Sequence, residues 1–175
     1  MLRNKSRRCI FFVIVITVII FLFVPWHGFF FNLKITQINN NKELINQPFI
    51  LHHSFSILYI NSIYLAPVVE KYRIEGTLIV LREINTKSWG VVEYYNIIDA
   101  NIIKKENGEI CICDLNYTQP NISMIIGYVG KHKITFGKQI YSLSLLADVG
   151  EKVKIESVPI SVFQYLQKKT KLYFF

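Results

Sequence analysis

From Ile10 to Val24, fifteen consecutive residues include only one that is not apolar, Thr17, and the residues before them carry Arg3, Lys5, Arg7 and Arg8 with no acid. An apolar run with no polar face, placed behind a basic segment, predicts a helix in lipid rather than a core element. Fifteen helical residues reach only about 22 Å against a hydrocarbon layer of about 30 Å. The predicted transmembrane signal anchor therefore takes in residues 9–31. Within it Trp26 and His27 suit the headgroup level, Phe29 to Phe31 lengthen the apolar surface, and Pro25 kinks the helix near its outer boundary. A cleaved secretory signal would end in a small-x-small site; between Val24 and Phe31 only Gly28 is small, so the segment reads as retained. The charge asymmetry places residues 1–8 in the cytoplasm and everything beyond Phe31 outside, a single-pass arrangement in the cell membrane.

The chain has 20 Lys+Arg and 12 Asp+Glu. Without the four bases ahead of the apolar run, 16 face 12, so most of the excess is a topology signal. That balance, and an outward-facing domain, exclude a nucleic-acid partner. With 51% hydrophobic and 14% aromatic residues the remainder can bury a core, which excludes a disordered tail. Only one stretch approaches a membrane span, which excludes a polytopic protein.

Residues 32–47, with Asn39, Asn40 and Asn41 in a row and a weak alternation at Leu33, Ile35 and Ile38, read as a stalk or a first strand, and the extracytoplasmic domain is expected over 48–175. Short β-branched and aromatic runs separated by turn signals then predict a mainly β fold, an antiparallel sandwich or barrel-like domain. Phe55, Ile57 and Tyr59 share one strand face; Pro67 opens the next strand, through Ile74; Glu75-Gly76 turns it into a hairpin with residues 77–84. Further strands are expected near Trp89–Tyr95, Glu109–Cys113, His132–Phe136, Gln139–Leu146 and Lys152–Glu156. Ile160, Phe163 and Leu166 recur at threes after Pro159, which predicts a short C-terminal helix.

Chemistry-bearing motifs are few. Cys111 and Cys113 lie two apart, and in a regular strand their Cβ atoms stand too far apart to bond. They are read as two packed thiols, as a local disulfide if the chain bends there, or as a redox or metal pair, for which His132 is the best further ligand. Adjacent His52 and His53 point to opposite strand faces and do not chelate together. With no nucleophile elbow, metalloprotease helix or phosphate-cradling glycine loop, no catalytic residue, metal or cofactor is assigned.

The most distinctive stretch is Tyr59-Ile-Asn-Ser-Ile-Tyr-Leu-Ala-Pro-Val-Val-Glu-Lys-Tyr72, followed by Lys87-Ser-Trp-Gly-Val91. Over about Phe55 to Val91 it resembles the domain of unknown function 1850 family. The family's three segments fall on Tyr59, Asn61, Ser62 and Ile63; on Pro67, Val68, Glu70 and Tyr72; and on Ser88, Trp89, Gly90 and Val91. Asn61 stands where the family has His, Trp89 where it has Phe, and Val91 with Val92 where it has small residues. An amide is neither a base nor a good metal ligand, so the motif reads as binding or structural. The resemblance implies a small exported or anchored protein associated with TRAP-type solute transporters of the TAXI class, with the permease or its solute-binding protein as partner beside membrane lipid.

Asn61, Ser62, Glu70 and Tyr72 are expected to form a hydrogen-bonded corner between consecutive strands that fixes the Ser62–Pro67 loop, with Gly90 permitting a close approach. The expected function is a non-catalytic accessory or interaction protein on the outer membrane face. A small-ligand or metal binder built on that corner, and a redox enzyme using Cys111 and Cys113, are the rival readings.

Overall fold

A computed structural model of the chain describes residues 2–25, 29–50, 53–97 and 101–173. Helix α1 (Leu2–Phe23) leads into strands β1 (Phe30–Gln37), β2 (Glu43–Ile50), β3 (His53–Ile60), β4 (Pro67–Glu75) and β5 (Leu78–Thr86), then helix α2 (Trp89–Tyr95). Strands β6 (Asn101–Lys104), β7 (Ile110–Cys113), β8 (Tyr117–Gln119), β9 (Asn121–Ile125), β10 (Lys133–Phe136) and β11 (Gln139–Ser142) follow, with a 3-10 turn at Leu143–Leu145, strand β12 (Lys152–Pro159) and helix α3 (Val162–Tyr173).

The fold is mainly β, in two antiparallel sheets. One has the order β2-β1-β12-β9; the other runs β11-β10-β3-β4-β5-β7-β6, with β8 also paired to β5. The expected hairpin forms between β4 and β5, and its Gly76 has φ +65, a left-handed turn conformation that glycine adopts freely. The carbonyl of Gly76 accepts a bond from Ser157 Oγ of β12 at 2.7 Å, tying the hairpin to the opposite sheet.

Two hydrophobic clusters form the interior. The larger lies between the sheets and takes Phe31, Leu33 and Ile35 from β1, Phe55 and Ile57 from β3, Tyr72 and Ile74 from β4, and Val153 and Ile155 from β12. The smaller lies under α2 and gathers Val68, Ile84, Val91, Val92, Ile110 and Ile112. Val68, Glu70, Tyr72 and Ile74 alternate along β4, so one inward face serves both clusters, with Glu70 at the seam between them.

Several expectations change. Helix α1 stops at Phe23, two residues before Pro25, because proline disfavours helical geometry in its predecessor. Residues 9–31 are therefore not one helical segment: Phe30 and Phe31 belong to β1, and Phe31 is buried in the larger cluster. Trp26, His27 and Gly28 lie outside the described residues, as does His52. Among the described residues no helix is long and apolar enough to cross a membrane. Of the two readings of residues 32–47, the strand holds and the stalk does not. These residues supply most of β1 and β2, and β1 is an interior strand paired on both sides, so Pro48 falls inside a strand and not at a domain boundary.

Trp89–Tyr95 is a helix, not a strand. Val91, Val92 and Tyr95 fall on one helical side, Asn96 closes the helix at φ +44, and burial of that side on the smaller cluster outweighs the strand preference of paired valines. The C-terminal helix forms, but it begins at Val162 and not at Pro159, which ends β12; Gln164 N donates to Ser161 Oγ and Ser161 N to Gln164 Oε1, a reciprocal capping box.

Candidate functional site

Glu70 sits on the inward face of β4, where a carboxylate needs hydrogen-bond donors to offset lost hydration. Three tyrosines supply them. Tyr59, diagonally across on β3 where it pairs with Val68, donates to Oε1 at 3.2 Å; Tyr72, two residues along β4, donates to Oε2 at 2.7 Å; Tyr95, from α2, donates to Oε1 and also meets the Tyr59 hydroxyl. Among the described residues no Lys, Arg or His pairs with Glu70. Burial first, and the negative charge of Glu70 second, hold all three phenols well above the usual tyrosine range.

The rings are held as firmly as the hydroxyls. Tyr72 stacks on Phe55 with centroids 5.1 Å apart, and Tyr59 stacks on His132 at 5.5 Å. His132 is half-buried, its Nδ1 is buried with no hydrogen-bond partner, and burial lowers its pKa. Among the described residues no group of three or more His, Cys, Asp and Glu could hold a metal ion.

The predicted corner divides in two. Glu70 and Tyr72 do bond, with Tyr59 and Tyr95 as further members, but Asn61 does not join them. Its Oδ1 accepts from the amides of Ile63 and Tyr64 at 3.0 and 3.1 Å, and its own N–H donates to the Ala66 carbonyl at 2.9 Å. A short amide bonds more readily to the turn two and three residues on than across to the next strand. Ser62 is exposed in that turn.

Pro67 opens β4, and its carbonyl accepts from Thr86 Oγ1, whose oxygen in turn accepts from Ser88 N at 3.3 Å. Gly90 is the expected close approach: a Cβ there would lie 2.4 Å from Cε1 of Tyr64, so the Tyr64 ring lies over the start of α2. Trp89 is half exposed beside it. Tyr59 and Tyr95 are the members that the expected corner lacked, and of these Tyr95 comes from a segment expected to be a strand. A helical reading of Val91, Val92 and Tyr95, spaced as i, i+1 and i+4, was the signal that could have found it.

Cys111 and Cys113 form a disulfide, with Cα atoms 5.5 Å apart, and the chain turns immediately after them at Asp114, where φ is +58. The approach that the bond requires lies within β7 itself, between the two cysteines. A regular strand would separate the two Cα atoms by about 6.6 Å.

The hydroxyls of Tyr59, Tyr72 and Tyr95 and the Glu70 carboxylate bond to one another in one polar knot. What it does is pin α2 and the ends of β3 and β4 into one rigid body. Loop 61–66 reaches α2 through Tyr64 and Gly90, and loop 127–130 reaches the end of β3 through the bond from Ile60 N to the Gly130 carbonyl, 2.8 Å. On these segments Ile63 is 66% exposed, Leu65 70%, Trp89 51% and Tyr128 84%. Beside them a cleft of about 490 Å³ is lined by Tyr128, Lys131, Lys133, Ser142 and Ser144, among others. Comparison of the chain with protein-family models, with curated proteins and with solved structures finds no match.

Proposed function

We propose that the chain is a lipid-anchored, non-catalytic recognition domain that binds a protein partner through loop 61–66 and the start of α2. The exposure of Ile63, Leu65 and Trp89 on a rigid end of the sheet carries this reading. Large apolar and aromatic side chains grouped at a surface and backed by a fixed scaffold are what protein interfaces use, because little ordering entropy is lost on binding. Leu65 is also held at φ +50, a conformation uncommon for a leucine.

The anchor is α1. Almost every side chain from Ile10 to Val24 is exposed, and water is a poor solvent for that surface. Its described apolar part, Ile10 to Phe23, is about 21 Å long. The basic sequence ahead of it suits the headgroup level of one leaflet, with the β domain on the other side. In this orientation the bases face the cytoplasm and the domain faces outward. The resemblance over Phe55–Val91 supplies the partner class, a TRAP-type permease or its solute-binding protein.

A photoreactive residue at Leu65 in the full-length protein tests this in native membranes. Crosslinks to a transporter component, lost on Trp89→Asp, are expected; crosslinks to no protein at all would overturn the recognition reading.

A further inference from the structure

The junction of α1 with α3 carries a second apolar surface. Phe23, at the last position of α1, packs on Phe163 of α3 with ring centroids 5.0 Å apart, and Phe30 of β1 packs on Tyr165 at 5.1 Å. Tyr165 is buried, and Lys168 Nζ donates to Asn46 Oδ1 of β2, so α3 is seated on the four-stranded sheet and beside the end of the anchor helix. Phe163 and Leu166, three residues apart on the helix, are nevertheless 39% and 51% exposed, and Phe29 next to β1 is 53% exposed. The sequence of α3 contains Lys168, Lys169 and Lys171 and no acid.

An exposed pair of large apolar side chains, a lysine cluster without acids and direct packing on an apolar helix are together the pattern of a helix that lies in a membrane interface. Resting on the reading that α1 is embedded in lipid, we infer that α3 is an interfacial helix for anionic phospholipid: Phe163 and Leu166 enter the acyl boundary, and the excess of lysine over acid in the α3 sequence favours anionic headgroups. The partner follows from continuity and charge. The Phe23–Phe163 contact makes the exposed side of α3 an extension of the surface of α1, and anionic headgroups complement the lysines. One helix end alone would leave the domain free to swivel, and a second contact fixes how it stands on the bilayer.

The test uses the full-length chain with a photoreactive benzoylphenylalanine at Leu166, reconstituted into vesicles of phosphatidylcholine alone or with 30% phosphatidylglycerol. Flotation with vesicles reports α1; lipid adducts at position 166, read by mass spectrometry, report α3. The expected result is flotation in both vesicle types, lipid adducts at 166, and a yield at least threefold higher with phosphatidylglycerol that falls to the phosphatidylcholine level in Lys169→Glu/Lys171→Glu. The same label at Leu145, an exposed residue of the 3-10 turn, serves as the surface control and should give at most a tenth of the adducts. Flotation without lipid adducts at 166, adducts to a second copy or another protein instead of lipid, or equal yields in the two vesicle types would overturn the inference while leaving the anchor intact. Failure to float would overturn the anchor reading itself and this inference with it.

Discussion

Tyr95 of α2 donates its hydroxyl proton to Glu70 of β4, a residue 25 positions earlier in the chain, and the bond falls at the seam between the two hydrophobic clusters. Glu70 is thus the point at which the helix, two strands and both cores are joined. A hydrogen bond to a charged acceptor contributes about 1.5–3 kcal/mol, and removal of the acceptor leaves several donors stranded together.

Tyr95→Phe is expected to lower stability by about 2 kcal/mol, and Glu70→Gln by about 2–4 kcal/mol, in denaturant unfolding. Because the two share one network, the double variant should lose less than the sum of the single losses by about 1 kcal/mol or more. Strict additivity would show that Tyr95 and Glu70 act separately.

The raised phenols give a high-pH signature. Their folded-state pKa values lie above the unfolded value, so their contribution is fully present below about pH 10 and is lost as pH rises beyond it. Absorbance at 295 nm during an alkaline titration should show Tyr59, Tyr72 and Tyr95 ionising only as the fold opens, in the same transition as loss of the β signal in circular dichroism. Ionisation of every tyrosine before that transition would contradict the buried network.

His132 acts at the other end of the scale. Burial lowers its folded-state pKa, so the unfolded chain binds the proton more readily and stability falls as pH drops through about 6.5. Glu83 and Glu109, whose pKa values are lowered chiefly by their lysine partners, contribute above the ordinary carboxylate range and lose that contribution only at more acid pH. His132→Phe keeps a ring on Tyr59 and removes the unpartnered Nδ1. It should raise the melting temperature and flatten its dependence between pH 7.5 and 5.5, and an unchanged slope would assign that dependence to other groups.

Gly90→Ala separates scaffold from surface. Alanine favours a helix by about 1 kcal/mol over glycine, but its Cβ would meet the Tyr64 ring, which is partly exposed and can swing away. Global stability should therefore change by less than about 1 kcal/mol, while the Ile63 and Tyr64 amides exchange faster as loop 61–66 loosens. Asn61→Ala should accelerate the same two amides by removing their shared acceptor. Unaltered exchange in both variants would mean that neither the turn nor the Tyr64 contact holds the loop.

The Cys111–Cys113 bond closes a very short loop, for which chain-entropy arguments give roughly 1.5 kcal/mol. Reduction should consequently cost the fold little. Alkylation before and after reduction, followed by mass spectrometry of the 110–114 region, should show both thiols protected until reductant is added; two thiols alkylated in untreated protein would exclude the bond.

The alternation of Phe55, Ile57 and Tyr59, the proline at the start of β4, the Glu75-Gly76 turn and the basic-then-apolar N-terminus are all local patterns, legible without coordinates because each depends on neighbours within a few residues. Those patterns determined a mainly β chain, its central hairpin and the pairing of Tyr72 with Glu70 on one strand face. Tertiary structure decided what local pattern leaves open. Residues 30–50 became two paired strands because β12, more than 100 residues later, supplies a partner for β1. Trp89–Tyr95 became a helix because the smaller cluster needed a cover, and that choice brought Tyr95 to Glu70 while Asn61 turned to its own loop. Backbone pairing over long sequence distances set the first outcome, and burial on the smaller cluster chose between the helix and the strand, both of which the spacing of residues 89–95 allows.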